Sequence, residues 1–107
     1  MPAEGEGPVI LAMDFASPPP WGEARVAKLR ALAESIAAET PGLLWKIWTE
    51  DAAAGRAGGI YAFASRAEAE AYRAMHTARV TERGATDIRG AIWAVNGPLS
   101  ALTRAPL

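Results

Sequence analysis

A chain of 107 residues with no cysteine and a formal net charge of −1 is expected to form one domain, spanning 1–107, that buries roughly two-thirds of its unfolded surface without covalent staples. Disulfides, thiolate metal sites and thiol catalysis are excluded. Acidic and basic residues are scattered, no apolar run approaches a membrane span, and the acidic start is unlike a secretory signal; the expectation is a cytoplasmic protein with neither nucleic acid nor membrane as partner.

Met1 to Gly7 is expected to be a flexible extension. Pro8 to Phe15 alternates as a first strand, which Ser17-Pro-Pro-Pro20 ends with a stiff extended connection. From Trp21 to Glu39 the residues Val26, Leu29, Leu32, Ala33 and Ile36 recur at helical spacing, with Arg25, Lys28, Arg30 and Glu34 on the other side. Thr40-Pro-Gly42 stops that helix.

The next segment, Leu43 to Asp51, carries two tryptophans and a lysine in what otherwise reads as a buried strand. Alternation puts Leu43, Trp45, Ile47 and Thr49 on one face and Leu44, Lys46, Trp48 and Glu50 on the other. Both faces hold large apolar groups, so the strand is expected to be covered on both sides, with charges set among aromatic walls as in a small-molecule pocket. Lysine is scarce here, two against nine arginines. Lys46 therefore stands out, although its stem also serves to cover apolar surface while the ammonium reaches water. Strand rise separates Lys46 from Glu50 by roughly 13 Å, so the two bracket a ligand or pair with unrelated groups.

Ala52 to Ala57 reads as a loop and Gly58 to Ala64 as a third strand, forming a hairpin with the second. Gly58-Gly59 suits a bulge or a close backbone approach. Ser65-Arg-Ala-Glu68 is a capping box that starts a second helix, which runs to Glu82 or Arg83 with Gly84 as its C-terminal cap. Asp87 to Asn96 is the fourth strand, and Asn-Gly-Pro98 opens a short turn or helix from Leu99 to Thr103.

The order strand, helix, strand, strand, helix, strand predicts an α+β fold: a ferredoxin-like βαββαβ antiparallel sheet with both helices on one face. The second sheet face is then bare, yet the strands are apolar on both faces: Val9, Leu11 and Met13 oppose Ile10 and Ala12, and Ile92 and Ala94 oppose Ala91, Trp93 and Val95. A second copy related by two-fold symmetry is the simplest cover, so a homodimer with sheets packed face to face is expected.

Candidate chemistry falls on the second helix and second strand. Tyr72, Met75, His76 and Arg79 share a helical stripe beside a stripe of alanines. His76 is the one side chain with an ordinary pKa near neutrality, which makes it the expected general base, and Arg79 at i+3 can hold an anion beside it. A solvated helix edge accounts for the same spacing, and Tyr72, Met75, Tyr61 and Phe63 also read as plain core. One histidine and no cysteine do not make a zinc site.

Leu32-Ala-Glu-Ser-Ile36, Pro41-Gly-Leu-Leu-Trp-Lys-Ile-Trp-Thr-Glu50, Gly58-Gly-Ile-Tyr-Ala-Phe63, Tyr72 with His76-Thr-Ala-Arg79, and Asn96-Gly-Pro-Leu-Ser100 together resemble the YdhR-type monooxygenase family, from Val9 to Ser100. The resemblance implies a dimeric α+β barrel, the fold of antibiotic-biosynthesis monooxygenases, with a cavity between helices and sheet in each subunit. It carries over Trp45, Lys46, Trp48, Glu50, Tyr61, His76 and Arg79 as site positions. Ile47 and Leu43 depart from the usual pattern, as do Met1 to Gly7 and Pro18 to Pro20.

Two functional classes follow. The first is a cofactor-independent monooxygenase that uses dioxygen on a small aromatic or polyketide-like phenol. In it His76 acts as base or proton shuttle, Arg79 or Lys46 stabilises the anion, and Trp45, Trp48, Tyr61, Tyr72 and Glu50 bind substrate. The second is a non-catalytic binding protein, including a haem-binding variant in which His76 supplies an axial imidazole, as haem-degrading members of this fold carry a histidine on the corresponding helix.

Overall fold

Among the described residues thirteen make the apolar core, and eight of them come from just two strands that lie side by side. The structure, a computed structural model, describes residues 7–107, so the proposed N-terminal extension lies, Gly7 apart, outside the described residues. The elements are β1 (Val9–Ala16), α1 (Gly22–Glu39), β2 (Leu43–Asp51), β3 (Arg56–Phe63), α2 (Arg66–Glu82), β4 (Thr86–Ala94) and α3 (Gly97–Leu102). The strands form one sheet in the order β2-β3-β1-β4, with every neighbouring pair antiparallel. This is the α+β, ferredoxin-like arrangement expected from the sequence. None of the helices is long and apolar enough to cross a membrane.

β1 lies at the centre because its alternation is strict: Val9, Leu11, Met13 and Phe15 are buried on the helix side. They meet Tyr61 and Phe63 of β3 and Ala69, Tyr72 and Val80 of α2. Val9, Leu11, Tyr61 and Phe63 are the largest fully buried side chains, each contributing about 1.5–3 kcal/mol through burial. α2 is held on the sheet by this packing and starts where predicted. Ser65 Oγ accepts from the Glu68 amide at 3.3 Å and donates to its carboxylate at 2.9 Å, while Gly84 takes φ +97° just after the end.

α1 behaves differently. Its apolar stripe predicts a packed face, yet Ile36 alone is buried. The helix stands off the sheet while α2 packs on β1, β3 and β4.

Two local readings change. β3 begins at Arg56, because a four-residue loop closed by Gly55 N–H to Ala52 C=O, with Gly55 at φ +67°, is enough to reverse the chain. The β2 register slips by one residue between Leu43 and Trp45. Leu43 therefore pairs with Phe63 and packs on the core, on the same side as Lys46, rather than sharing a face with Trp45; a bulge inserts one residue and so resets the alternation.

The second sheet face carries Ile10, Ala12, Ile47, Ile60, Ala62 and Trp93, as the pairings of β1 with β3 and β4 and of β2 with β3 require. Among the described residues no helix packs on it, and Ile47 and Trp93 are 55% and 61% exposed, although Ala62 is buried. At one end the apolar surface gives way to ions: Asp14 accepts from Arg56 at 2.7 Å and from Arg89 at 2.6 Å, and Arg56 also reaches Asp87 at 2.9 Å. Partial burial opposes ionisation of Asp14, but the two guanidinium groups prevail and hold its carboxyl below the usual range.

Candidate active site

The gap left by α1 is a cavity of about 450 Å³. Its roof is the apolar stripe Val26, Leu29, Leu32 and Ala33; its floor is Lys46, Trp48 and Gly58 of the sheet; its far wall is His76 and Val80 of α2. Polar ties at the N-terminal end fix the spacing of roof and floor. The Gly22 amide, one of the free donors of the first helical turn, gives its hydrogen to Glu50 Oε2 at 2.8 Å. Arg25 donates to Ser17 Oγ at 3.1 Å and to the Pro20 carbonyl at 3.3 Å, and its guanidinium lies 5.2 Å from the Trp21 ring centroid. Volume and a largely apolar lining suit a small organic molecule.

Lys46 pairs with Tyr61 across the β2–β3 ladder. Its Nζ lies 3.3 Å from the centroid of the Trp48 ring and 4.7 Å from that of Tyr61. Among the described residues no carboxylate forms an ion pair with it. Burial, then repulsion from Arg79 and Arg25, brings its pKa down from 10.5 to about 7.

On α2, Tyr72, His76 and Arg79 follow at i, i+4 and i+7 and so share a face. His76 is 3% exposed and is the buried polar residue of the core. Arg79 donates from Nε to its Nδ1 at 3.0 Å and from Nη2 to the Tyr72 hydroxyl at 3.1 Å. The Tyr72 and His76 rings stack at 5.0 Å, and Tyr61 lies 5.0 Å from Tyr72. Arginine only donates, so His76 Nδ1 accepts and the ring proton sits on Nε2. Every fully buried side-chain nitrogen and oxygen among the described residues has a partner, and Nε2, which has none there, opens on the cavity that His76 lines. Burial, followed by the charges of Lys46, Arg79 and Arg83, lowers the His76 pKa to about 3. It is a neutral imidazole at pH 7 and presents an N–H. Burial likewise raises the Tyr61 and Tyr72 phenols, which stay protonated.

Of the residues singled out from the sequence, Lys46, Trp48, Glu50 and His76 line the cavity. Tyr61, Tyr72 and Arg79 lie directly behind that wall, in contact with Lys46 or His76. Trp45 does not join them: it faces the other way, and its indole N–H donates to the Pro106 carbonyl at 3.0 Å, pinning the C-terminal segment to β2. Met75, grouped with the helical stripe, is exposed. Glu50 serves the Gly22 amide. Sequence reasoning missed Arg25 and the role of the α1 stripe, since an apolar helical face reads the same whether it packs or borders a space.

Among the described residues no group of three His, Asp or Glu side chains is placed to hold a metal ion. A profile of the family described as "Putative mono-oxygenase ydhR" matches residues 10–106. No curated protein matches the chain.

Proposed function

Because the chain belongs to the ydhR family, we propose that it is a cofactor-independent monooxygenase acting on a small aromatic or polyketide-like phenol, and that Lys46 is its base. One observation carries this reading: an amine with no carboxylate partner among the described residues, laid against Trp48 and Tyr61 in an apolar cavity, whose pKa has come down to about 7. A base works best with a pKa near the operating pH. His76 was the expectation from its ordinary pKa, but burial leaves it at about 3 and Arg79 holds the nitrogen that has the lone pair. It serves instead as a hydrogen-bond donor.

In this reading the substrate gives a proton, from a phenolic hydroxyl or from the acidic methylene of an anthrone, to Lys46 Nζ, and the ammonium so formed stays beside the delocalised oxyanion. The His76 Nε2–H and the positive charge of Arg79 oppose spread of that negative charge back to the solvent side. The electron-rich anion then passes electrons to dioxygen and a carbon–oxygen bond forms. A substrate with two removable hydrogens, such as an anthrone, supplies both electrons and both hydrogens that reduce the second oxygen atom to water. No external reductant is required.

Haem fits this site poorly. An axial imidazole ligates through a nitrogen lone pair, and the nitrogen of His76 that opens on the cavity carries the proton, while the other is held by Arg79. For the assembly we propose a homodimer in which a second copy covers the apolar face of Ile10, Ile47, Ile60 and Trp93, since an exposed surface of this kind favours association.

The test is dioxygen uptake by purified protein with an anthrone or an acidic phenol and no added cofactor. Uptake is expected, and Lys46→Met should slow it by roughly 10² to 10⁴-fold. No uptake with any such substrate overturns the oxygenase reading; uptake unchanged in Lys46→Met overturns the choice of base.

A further inference from the structure

We propose that Lys46 is also a carbonyl-capturing amine, forming a reversible imine with small apolar aldehydes and ketones that enter the cavity between α1 and the sheet. The claim goes beyond the oxygenase reading and does not depend on it.

A lysine becomes a nucleophile when it sheds its proton, and proteins achieve this by desolvation and by neighbouring cations. Both conditions hold around Lys46. From the sheet it is met by the faces of Trp48 and Tyr61; from α2 by the neutral His76 with the Arg79 cation behind it; from α1 by Arg25. The acidic residue closest along its own strand face, Glu50, accepts from the Gly22 amide, which keeps Oε2 turned to the helix. The lining of the cavity holds Arg25, Lys28, Arg30, Lys46 and Arg83 against Glu34 and Glu50. A neutral amine is the form that such surroundings favour, and the depressed pKa agrees.

Space and geometry also fit. The cavity of about 450 Å³ holds a benzaldehyde-sized molecule beside the amine. The Nζ lone pair attacks the carbonyl carbon, the carbon–nitrogen bond forms, and the π electrons move to oxygen. The His76 Nε2–H is the donor available to that oxygen. Both hydrogens of the amine leave with the oxygen as water, the carbon–oxygen bond breaks, and a carbon–nitrogen double bond remains. Aldehyde plus amine gives imine plus water, with no change in oxidation state.

The amines to be told apart are few, Lys28, Lys46 and the chain's α-amine, whose ordinary pKa of about 8 makes it a labelled background that peptide mapping sets aside. Native protein is treated at pH 7 under nitrogen with benzaldehyde and sodium cyanoborohydride, which reduces the imine to a stable benzylamine, and the label is located by peptide mass mapping. An amine with a pKa near 7 is about half neutral at pH 7, whereas an ordinary lysine near 10.4 is neutral to roughly 0.04%. Label on Lys46 should therefore appear at least about ten-fold faster than on exposed Lys28, with the gap closing toward pH 10. In Leu29→Trp, which fills the roof of the cavity, Lys46 labelling should fall below that of the wild type. Equal labelling of the two lysines at pH 7 overturns the proposal, and so does Lys46 labelling that Leu29→Trp leaves unchanged. Excluding dioxygen separates this result from that of the uptake assay.

Discussion

The stem of Lys46 runs over the bare Cα of Gly59. Gly59 stands opposite Trp48 in the β2–β3 ladder, and a Cβ there would come within 2.7 Å of Lys46 Cε and 3.0 Å of the Tyr61 ring. The missing side chain thus gives the amine its place between two aromatic faces. Gly58 has a different duty, since a Cβ on it would run into the Met13 carbonyl and the Asp14 Cα of β1; it lets two strands approach.

Gly59→Ala should therefore be tolerated by the fold, because Lys46 Cε is the movable end of a flexible chain, but it should push the amine out toward water. The pKa of Lys46, read from the pH dependence of its reductive labelling, is expected to rise by at least about one unit toward the ordinary lysine value. A profile identical to the wild type would mean that something other than Gly59 sets the amine's position.

Lys46 also makes stability depend on pH. Its folded pKa is about 7 against an unfolded 10.5, so between these values the unfolded chain binds more protons and stability rises with pH. The cost of burying the amine is fully present below about pH 7, where it is that of the desolvated ammonium, falls as pH rises and vanishes above 10.5. Lys46→Met should remove that slope. Denaturant unfolding at pH 7 should find the variant more stable by on the order of 1–3 kcal/mol once screening by water in the cavity is allowed for, with the difference shrinking at pH 9.5. A constant difference across that range would show that Lys46 stays charged in the folded protein.

Glu50 acts at a distance from the chemistry. It holds the first turn of a helix that has little else to hold it, for Ile36 is the single buried residue of α1. An exposed hydrogen bond of this sort contributes little to global stability, about 1 kcal/mol or less. Its effect should show in the roof of the cavity. Glu50→Ala is expected to speed amide hydrogen exchange across Leu29 to Ala33 several-fold while exchange in α2 stays as it was, and Glu50→Gln, which keeps an acceptor oxygen, should restore much of the protection. Equal protection in all three proteins would remove the tether.

Much of this was legible in the chain, and the exceptions have physical causes. The strict alternation of β1 and the Ser65–Glu68 box each have one structural solution, so the central strand and α2 appear where expected. The β2 bulge was hidden because Leu43 and Leu44 are both leucine, and an apolar pair looks the same in either register. Trp45 and Trp48 differ by three positions, so alternation already set them on opposite faces; only the family pattern grouped them into one site, and the side chain of Trp45 turned instead to Pro106. Arg25 gave no signal, since an isolated cation on a helix normally faces water. The pairing of Arg79 with His76 was visible as an i, i+3 spacing, but its chemical meaning was not: the arginine fixes the tautomer, and burial removes the titration that had made the histidine attractive.

The bare sheet face gives the last prediction. Trp93 and Ile10 are cross-strand partners there, Ile47 and Ile60 are another such pair, and the surface ends in the Asp14, Arg56 and Arg89 ions. Such a layout has the apolar centre and charged margin of an interface between copies. Light scattering at micromolar concentration should give twice the 11.3 kDa chain mass. Trp93→Glu places a carboxylate where the proposed partner would have to desolvate it, a cost of several kcal/mol, so dissociation should be favoured by at least about 100-fold. The fold should survive, because Trp93 is already 61% exposed within one chain, and circular dichroism of the variant should match the wild type. A wild-type protein that scatters as a monomer at these concentrations would mean that the face is left to water despite its composition.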